Sequence, residues 1–292
     1  MSTLVIGLGG TGIKTLVHVK KMLMDSNRDG VIPGDVKLLG LDTRQDPEVL
    51  QNVGPWVGTY AIQHKEELDN VQIHRTNEYF WLGGRLDDNC GKQEDEYIAR
   101  WFDSSYFCNL PTKNTVMTVV DGAGMYRQIG RRGLFHWLQN GTTGHLYQQI
   151  YGKVSSFPEE TFTVIICGSI AGGTGASLFI DIAHLTQVIA KNCSKVADIT
   201  AMIVLPKAFS SEPHVNVDNA MQARGLSAMR ELTRFIKIHD AELGFFMQYT
   251  SKAQDRMINR RAQGSPFSLV YLLEERVGDP QNPTILNPLD VP

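Results

Sequence analysis

The chain has 292 residues, of which 42% are hydrophobic and 20% charged, with a formal net charge of -3. That length allows one large globular domain, or one domain with a sizeable insertion. The mild negative charge and the absence of a long basic run exclude a nucleic-acid groove on composition. No stretch approaches the ~18 apolar residues of a membrane helix, so no transmembrane segment is expected. The opening MSTLVIGLGG lacks the basic flank and long apolar core of a secretory leader. The four cysteines, Cys90, Cys108, Cys167 and Cys193, form no C-x-x-C pair and suit a reducing compartment, so the expected location is the cytoplasm.

In chain order, 3–8 reads as a buried strand, followed at once by glycines. Residues 13–24 carry apolar positions at helical spacing, and 36–41 reads as a second strand that ends at Asp42-Thr43. The stretch 45–113 is less regular and reads as an insertion or elaborated connection, with helical pieces around 94–103. Regular patterning then resumes. Strands are expected at 115–120, 162–167, 199–205 and 267–273, and helices at 126–138, 177–190 and 219–238. The tail, 279–292, is rich in proline and reads as extended or disordered. Strands alternating with helices predict the α/β class. The expected architecture is a Rossmann-like, three-layer, mainly parallel sheet with helices on both faces.

Ligands of such sheets sit beyond the carboxyl ends of the strands, and the glycine clusters fall there. The first, Gly7-Leu8-Gly9-Gly10-Thr11-Gly12, satisfies G-x-G-x-x-G. Glycines let the backbone approach a phosphate, and the next helix offers free N–H groups. A ligand-free turn and a dinucleotide site are the rival readings, although Asp42 lies farther along than the usual ribose-binding acid. A Walker loop is set aside, because Ile13 stands where its lysine belongs. The second cluster runs from Gly168 through Gly172-Gly173-Thr174-Gly175 into a helix, and Thr174 can add a hydroxyl donor to a phosphate oxygen. A third cluster, Gly122-Ala123-Gly124, follows the strand expected at 115–120. Three glycine loops at separate strand ends could surround one triphosphate.

The set resembles the tubulin/FtsZ superfamily, most closely its divergent bacterial tubulin-like proteins. The family's GGGTGTG signature has its counterpart in Ala171-Gly172-Gly173-Thr174-Gly175-Ala176-Ser177, its first loop in Gly9-Gly10-Thr11-Gly12, and its γ-phosphate loop in Gly122-Ala123-Gly124 with Gly130-Arg131. Asp42-Thr43 stands where FtsZ has a pair near phosphates and metal. Lys207 to Glu212 is similar to a segment whose glutamate contacts the ribose, with Asn216 and Asn219 as polar alternatives. Ser177 replaces the signature's last glycine, a departure that could tighten or alter the phosphate cradle.

The resemblance implies a tubulin/FtsZ-type GTPase domain over residues 1–278 that holds GTP or GDP with Mg²⁺. The nucleotide-binding residues it implies are Gly9, Gly10, Thr11, Gly12, Asp42, Thr43, Gly122, Ala123, Gly124, Gly172, Gly173, Thr174, Gly175 and Glu212. It implies longitudinal self-assembly into filaments, or pairing with a related subunit. Hydrolysis would be completed by the neighbour and be weak in the chain alone. No general base is identified. The family's central helix, acidic loop and C-terminal domain find no counterpart after Glu275, so a C-terminal activation domain is expected to be absent. One alternative is a nucleotide-binding interaction module that does not polymerise. The other is an NAD- or FAD-binding Rossmann enzyme, against which stand the repeated glycine loops and eight histidines without a catalytic pairing.

Overall fold

The computed structural model describes residues 1–45, 68, 71–84, 86, 95–110, 119, 122–123, 126–209, 219–237, 246–251, 258–261 and 265–274. Its strands are β1 (Thr3–Leu8), β2 (Val36–Asp42), β3 (Tyr79–Trp81), β4 (Thr161–Ser169), β5 (Val196–Val204), the short pair β6 (Phe246–Met247) and β7 (Arg260–Arg261), and β8 (Leu269–Leu273). Six of them form one sheet in the order β3-β2-β1-β4-β5-β8, and every pairing in it is parallel. The helices are α1 (Gly9–Ser26), α2 (Glu96–Ala99), α3 (Ser104–Cys108), α4 (Arg127–Leu138), α5 (His145–Ser155), α6 (Gly173–Asn192) and α7 (Asn219–Ile236).

Side chains alternate across a strand, and here the alternation separates two cores. Leu4, Ile6 and Leu8 of β1 join Leu39 and Leu41 of β2 and Phe162, Val164 and Ile166 of β4 on the face covered by α4, α5, α6 and α7. Val5, Leu38 and Cys167 point the other way, onto Ile13, Leu16 and Val17 of α1. This is the three-layer α/β arrangement expected from the alternating pattern. Helix α6 is buried along almost its whole length, because it lies between the sheet and the outer helices α4, α5 and α7. Cys167 is buried beneath α1, and burial pushes its thiol up to about 12, which leaves it inert.

Several boundaries differ from the sequence reading. Helices α1 and α6 begin at Gly9 and Gly173, four residues before the expected starts, because the glycine runs are first helical turns rather than loops. The strand expected at 115–120 lies outside the described residues except for Val119, which sits in a turn with φ 47°. Strand β3, within the stretch read as an insertion or elaborated connection, forms the sheet edge beside β2. It is tied to α1 by a buried ion pair, Lys20 Nζ to Glu78 Oε2 at 2.6 Å. Cys108 is disulfide-bonded, which the cysteine spacing did not suggest. Among the described residues, no helix is long and apolar enough to cross a membrane. The tail 279–292 lies outside the described residues.

Candidate functional site

The parallel register brings the carboxyl ends of β1, β2 and β4 side by side, with Leu8 opposite Leu41 and Gly168. Two helices start there. Neither α1 nor α6 has a side-chain cap at its N-terminus, and neither carries an acid in its first turn. Most helices use one or both devices to satisfy their first N–H groups. Here two sets of N–H groups, at the positive ends of two helix dipoles, are left without side-chain partners beside one another.

Between them lies a cavity of about 220 Å³. Leu8, Gly9 and Thr11 line one side. Ser169, Ala171 and Gly172 to Gly175 line the other, and Phe209 and Met221 close it from beyond β5. The glycines divide into two roles. A Cβ on Gly12 would lie 2.5 Å from the Gly7 carbonyl carbon and 2.7 Å from Cys167 O, so this residue seats α1 on the sheet. Gly9, at φ +68°, faces the other glycine turn, and a Cβ there would lie 3.3 Å from Gly175 N. Gly172 has open space where a Cβ would be. Gly10 is partly exposed in the first turn of α1 and is not part of the cavity lining.

Asp42 and Thr43 meet Thr174 behind this cavity. The Asp42 carboxylate accepts from Thr43 N at 2.7 Å and from the Thr174 hydroxyl at 3.0 Å, and the two threonine hydroxyls are 2.7 Å apart. Two residues of β3 hold the turn in place. Trp81 Nε1 donates to Thr43 O at 2.9 Å, and the Tyr79 hydroxyl donates to Arg44 O. Burial pushes the Asp42 carboxyl up to about 6, and the hydrogen bonds from Thr174, Thr43 and Arg44 oppose the shift without cancelling it.

The trio has a chemical consequence. If Thr174 gives its proton to Asp42, Thr43 gives its own to Thr174; in the reverse arrangement Thr43 donates to Asp42 at 3.4 Å. Both protons are used within the trio while Asp42 is ionised. The hydroxyls therefore offer lone pairs rather than protons to a ligand, unlike the donor role read for Thr174 from the sequence.

The third loop is described in part. Gly122 adopts φ +105°, and a Cβ on it would lie 3.9 Å from Thr43 Oγ1, so it borders the same turn. The Ala123 side chain is in the core. Gly124 and Glu212 lie outside the described residues, as does Asn216. Asn219 is the first residue of α7. Arg131 turns to Asp181 at 2.8 Å rather than to the cavity. Ser177 packs where a Cβ on Gly130 would come within 2.4 Å of its hydroxyl, and it donates to Thr174 O at 2.8 Å. Its hydroxyl thus stitches the signature turn from behind.

The sequence reading missed Ser169, Phe209 and Met221. Ser169 Oγ accepts from Ala171 N at 3.0 Å and shapes the turn, and its position at a strand end before glycines was a usable signal. Phe209 lies within the Lys207 to Glu212 segment already likened to the family's, without having been singled out, and Met221 is brought in by tertiary packing.

The structure is a parallel α/β sheet with two glycine-built helix N-termini side by side at its carboxyl end. The chain matches the family described as "Tubulin like" over residues 4–287, and it belongs to that family. No curated protein matches it. Among solved structures it is similar to CetZ from Methanosaeta thermophila, with 14% identity and a TM-score of 0.46 over 80% of this chain and 43% of that one. It is also similar to TubZ of Bacillus thuringiensis serovar israelensis in a GTPγS-form protofilament, with 11% identity and a TM-score of 0.43 over 94% of this chain and 48% of that one. The chain thus spans less than half the length of these two structures.

Proposed function

We propose that the chain binds GTP and self-assembles into filaments with the nucleotide at the subunit interface, where a neighbouring subunit completes hydrolysis. The observation that carries the reading is the cavity between two uncapped glycine helix N-termini, which suits the phosphates of a nucleotide. Family membership supports guanine nucleotide, and the TubZ similarity adds a protofilament in a GTPγS form.

Mg²⁺ fits the same site. The buried carboxylate of Asp42 and the oxygen lone pairs of Thr43 and Thr174 suit a cation or its bound water better than they suit a phosphate oxygen. When bound, the metal would neutralise charge on the phosphates. The protein's own groups bind and orient. The helix N-termini hold phosphate oxygens, and Asp42 fixes the hydroxyls.

No carboxylate or histidine lines the cavity among the described residues, and Asp42 is buried behind Thr174. A base supplied by a neighbouring subunit is compatible with that lining. The test is equilibrium binding of GTP, ATP and NAD⁺ with Mg²⁺, alongside a Thr174→Ala, Gly173→Ala double variant. Selective GTP binding that the variant loses, with turnover that rises steeply with protein concentration, is the expected result. Rapid turnover unchanged by dilution would refute the assembly-dependent step. Tight GTP binding with no sedimenting polymer would leave a nucleotide-binding module that does not polymerise.

A further inference from the structure

The larger cavity of the protein, a cleft of about 1120 Å³ over α6 between α4 and α7, has its described carboxylates Asp181 and Glu231 paired with its own arginines Arg131 and Arg127. Behind the smaller cavity, two turns share a single donor. The indole Nε1–H of Trp81 in β3 donates to Thr43 O at 2.9 Å and to Val119 O at 3.3 Å. Thr43 follows β2, and Val119 stands three residues before Gly122, whose missing Cβ would face Thr43 Oγ1. One N–H therefore ties the turn that carries Thr43 to the backbone that leads into the third glycine loop.

Two further observations mark this bridge as a built feature. Val119 is a β-branched residue at φ 47° with its side chain fully buried. A branched side chain crowds the backbone in that region, and such positions persist only where the surroundings hold them, commonly at ligand clamps. Gly83 is the second. A Cβ on it would collide with both Trp81 Nε1 and Val119 O, so only a glycine leaves room for donor and acceptor to meet. Gly83 is itself pinned, since its carbonyl accepts from Trp137 Nε1 of α4 at 2.9 Å. Leu82 N donates to Asp42 O at 2.7 Å, and the Trp81 ring packs against the cluster that holds Ile13 and Tyr79. The direction of the indole N–H is thus fixed from several sides. We propose that Trp81 is a positioning residue: its N–H sets the spacing between Thr43 and the backbone at Val119 and Gly122, so that both sides reach one phosphate-bound divalent cation. The role rests on the nucleotide reading above and adds to it the residue that couples the two turns.

The test is GTP binding to the full chain with Mg²⁺ and in EDTA. The ratio of the two affinities isolates the cation-dependent part, which a general loss of stability does not move. Trp81→Phe keeps an aromatic ring and removes the donor. It should lower the affinity with Mg²⁺ by about tenfold and leave the affinity in EDTA within about twofold, with circular dichroism unchanged. Without nucleotide, amide hydrogen exchange should become faster at both 40–45 and 119–125. Trp137→Phe removes the donor to Gly83 but spares both turns, so its ratio should match that of the wild type. The proposal is overturned if Trp81→Phe keeps the wild-type ratio, if Trp137→Phe loses as much, or if exchange rises at only one of the two segments. A wild type that binds no GTP refutes the nucleotide reading and this role with it. A wild type that binds GTP more tightly with Mg²⁺, beside an unaltered ratio in Trp81→Phe, refutes this role alone.

Discussion

The two cavities of this protein are built from different material. The cavity at the carboxyl end of the sheet is small and walled largely by backbone, with glycines at the first turns of α1 and α6 and a buried carboxylate behind them. The cleft over α6 is five times larger and walled by arginine and aromatic side chains from several elements. A backbone-built site depends on close approach, so it fails when a side chain is added. A side-chain-built site depends on long residues held in place by partners, so it fails when a partner is removed.

The largest effect expected from that contrast is at Asp181. Removing it deprives Arg131, about one-third exposed and stacked on Trp101, of its carboxylate partner, which should cost about 3 kcal/mol. Asp181→Ala should lower the urea midpoint strongly while the folded fraction keeps its affinity for GTP. Loss of nucleotide binding at matched stability would show that the two cavities are not independent.

Next comes pH, through two buried groups, Asp42 and His184. Asp42 titrates at about 6 in the folded chain against 3.8 ordinarily, so it contributes stability that is fully present below 3.8 and lost as pH rises through 6. His184 on α6 is pushed down to about 4 from 6.5, chiefly by burial, and its Nε2 has no hydrogen-bond partner among the described residues. Its contribution runs the opposite way: it is present above 6.5 and lost as pH falls toward 4. Each shift is worth on the order of 3 kcal/mol, so between pH 6 and 4 they offset one another. Asp42→Asn should expose the histidine's loss as a drop of about that size between pH 6.5 and 4, measured by urea unfolding. An unchanged pH profile would mean that Asp42 is not a buried, ionising carboxyl.

The glycines come third. Gly12→Ala places a methyl group against backbone of β1 and β4 and should cost about 1–3 kcal/mol, seen as a lower melting temperature. Gly172→Ala adds the same methyl group to open space. It should leave the melting temperature nearly unchanged and reduce GTP affinity. Equal melting temperatures for the two variants would break the division of roles within the glycine motifs. The smallest effect is expected at Arg127–Glu231, where Glu231 is half exposed. Glu231→Gln should change stability by less than about 1 kcal/mol.

The glycine turns that line the smaller cavity were legible in the sequence because their requirements are local. Gly172-Gly173-Thr174-Gly175 and Gly9-Gly10-Thr11-Gly12 stand where strands turn into helices, and no acid or capping side chain occupies those first turns. Asp42 and Thr43 could be placed by their position at a strand end. Their partner could not, because the contact with Thr174 spans 131 residues of chain. The α/β class followed from strand and helix periodicity for the same local reason. The helix starts at Gly9 and Gly173 were missed, since glycine is a poor helix former and nothing local shows that packing will hold it in a first turn.

Alternation along β1, β2 and β4 therefore determined a sheet buried on both faces, and the glycine runs determined the turns that line a cavity at its carboxyl end. Tertiary structure alone decided that Tyr79–Trp81 forms the edge strand and props Thr43, that Ser177 packs against Gly130, and that Arg131 faces Asp181 rather than the glycine-lined cavity. The physical reason is range. Periodicity and turn chemistry act over a few residues, whereas these contacts join segments far apart in the chain, and they form only when the sheet order brings those segments together.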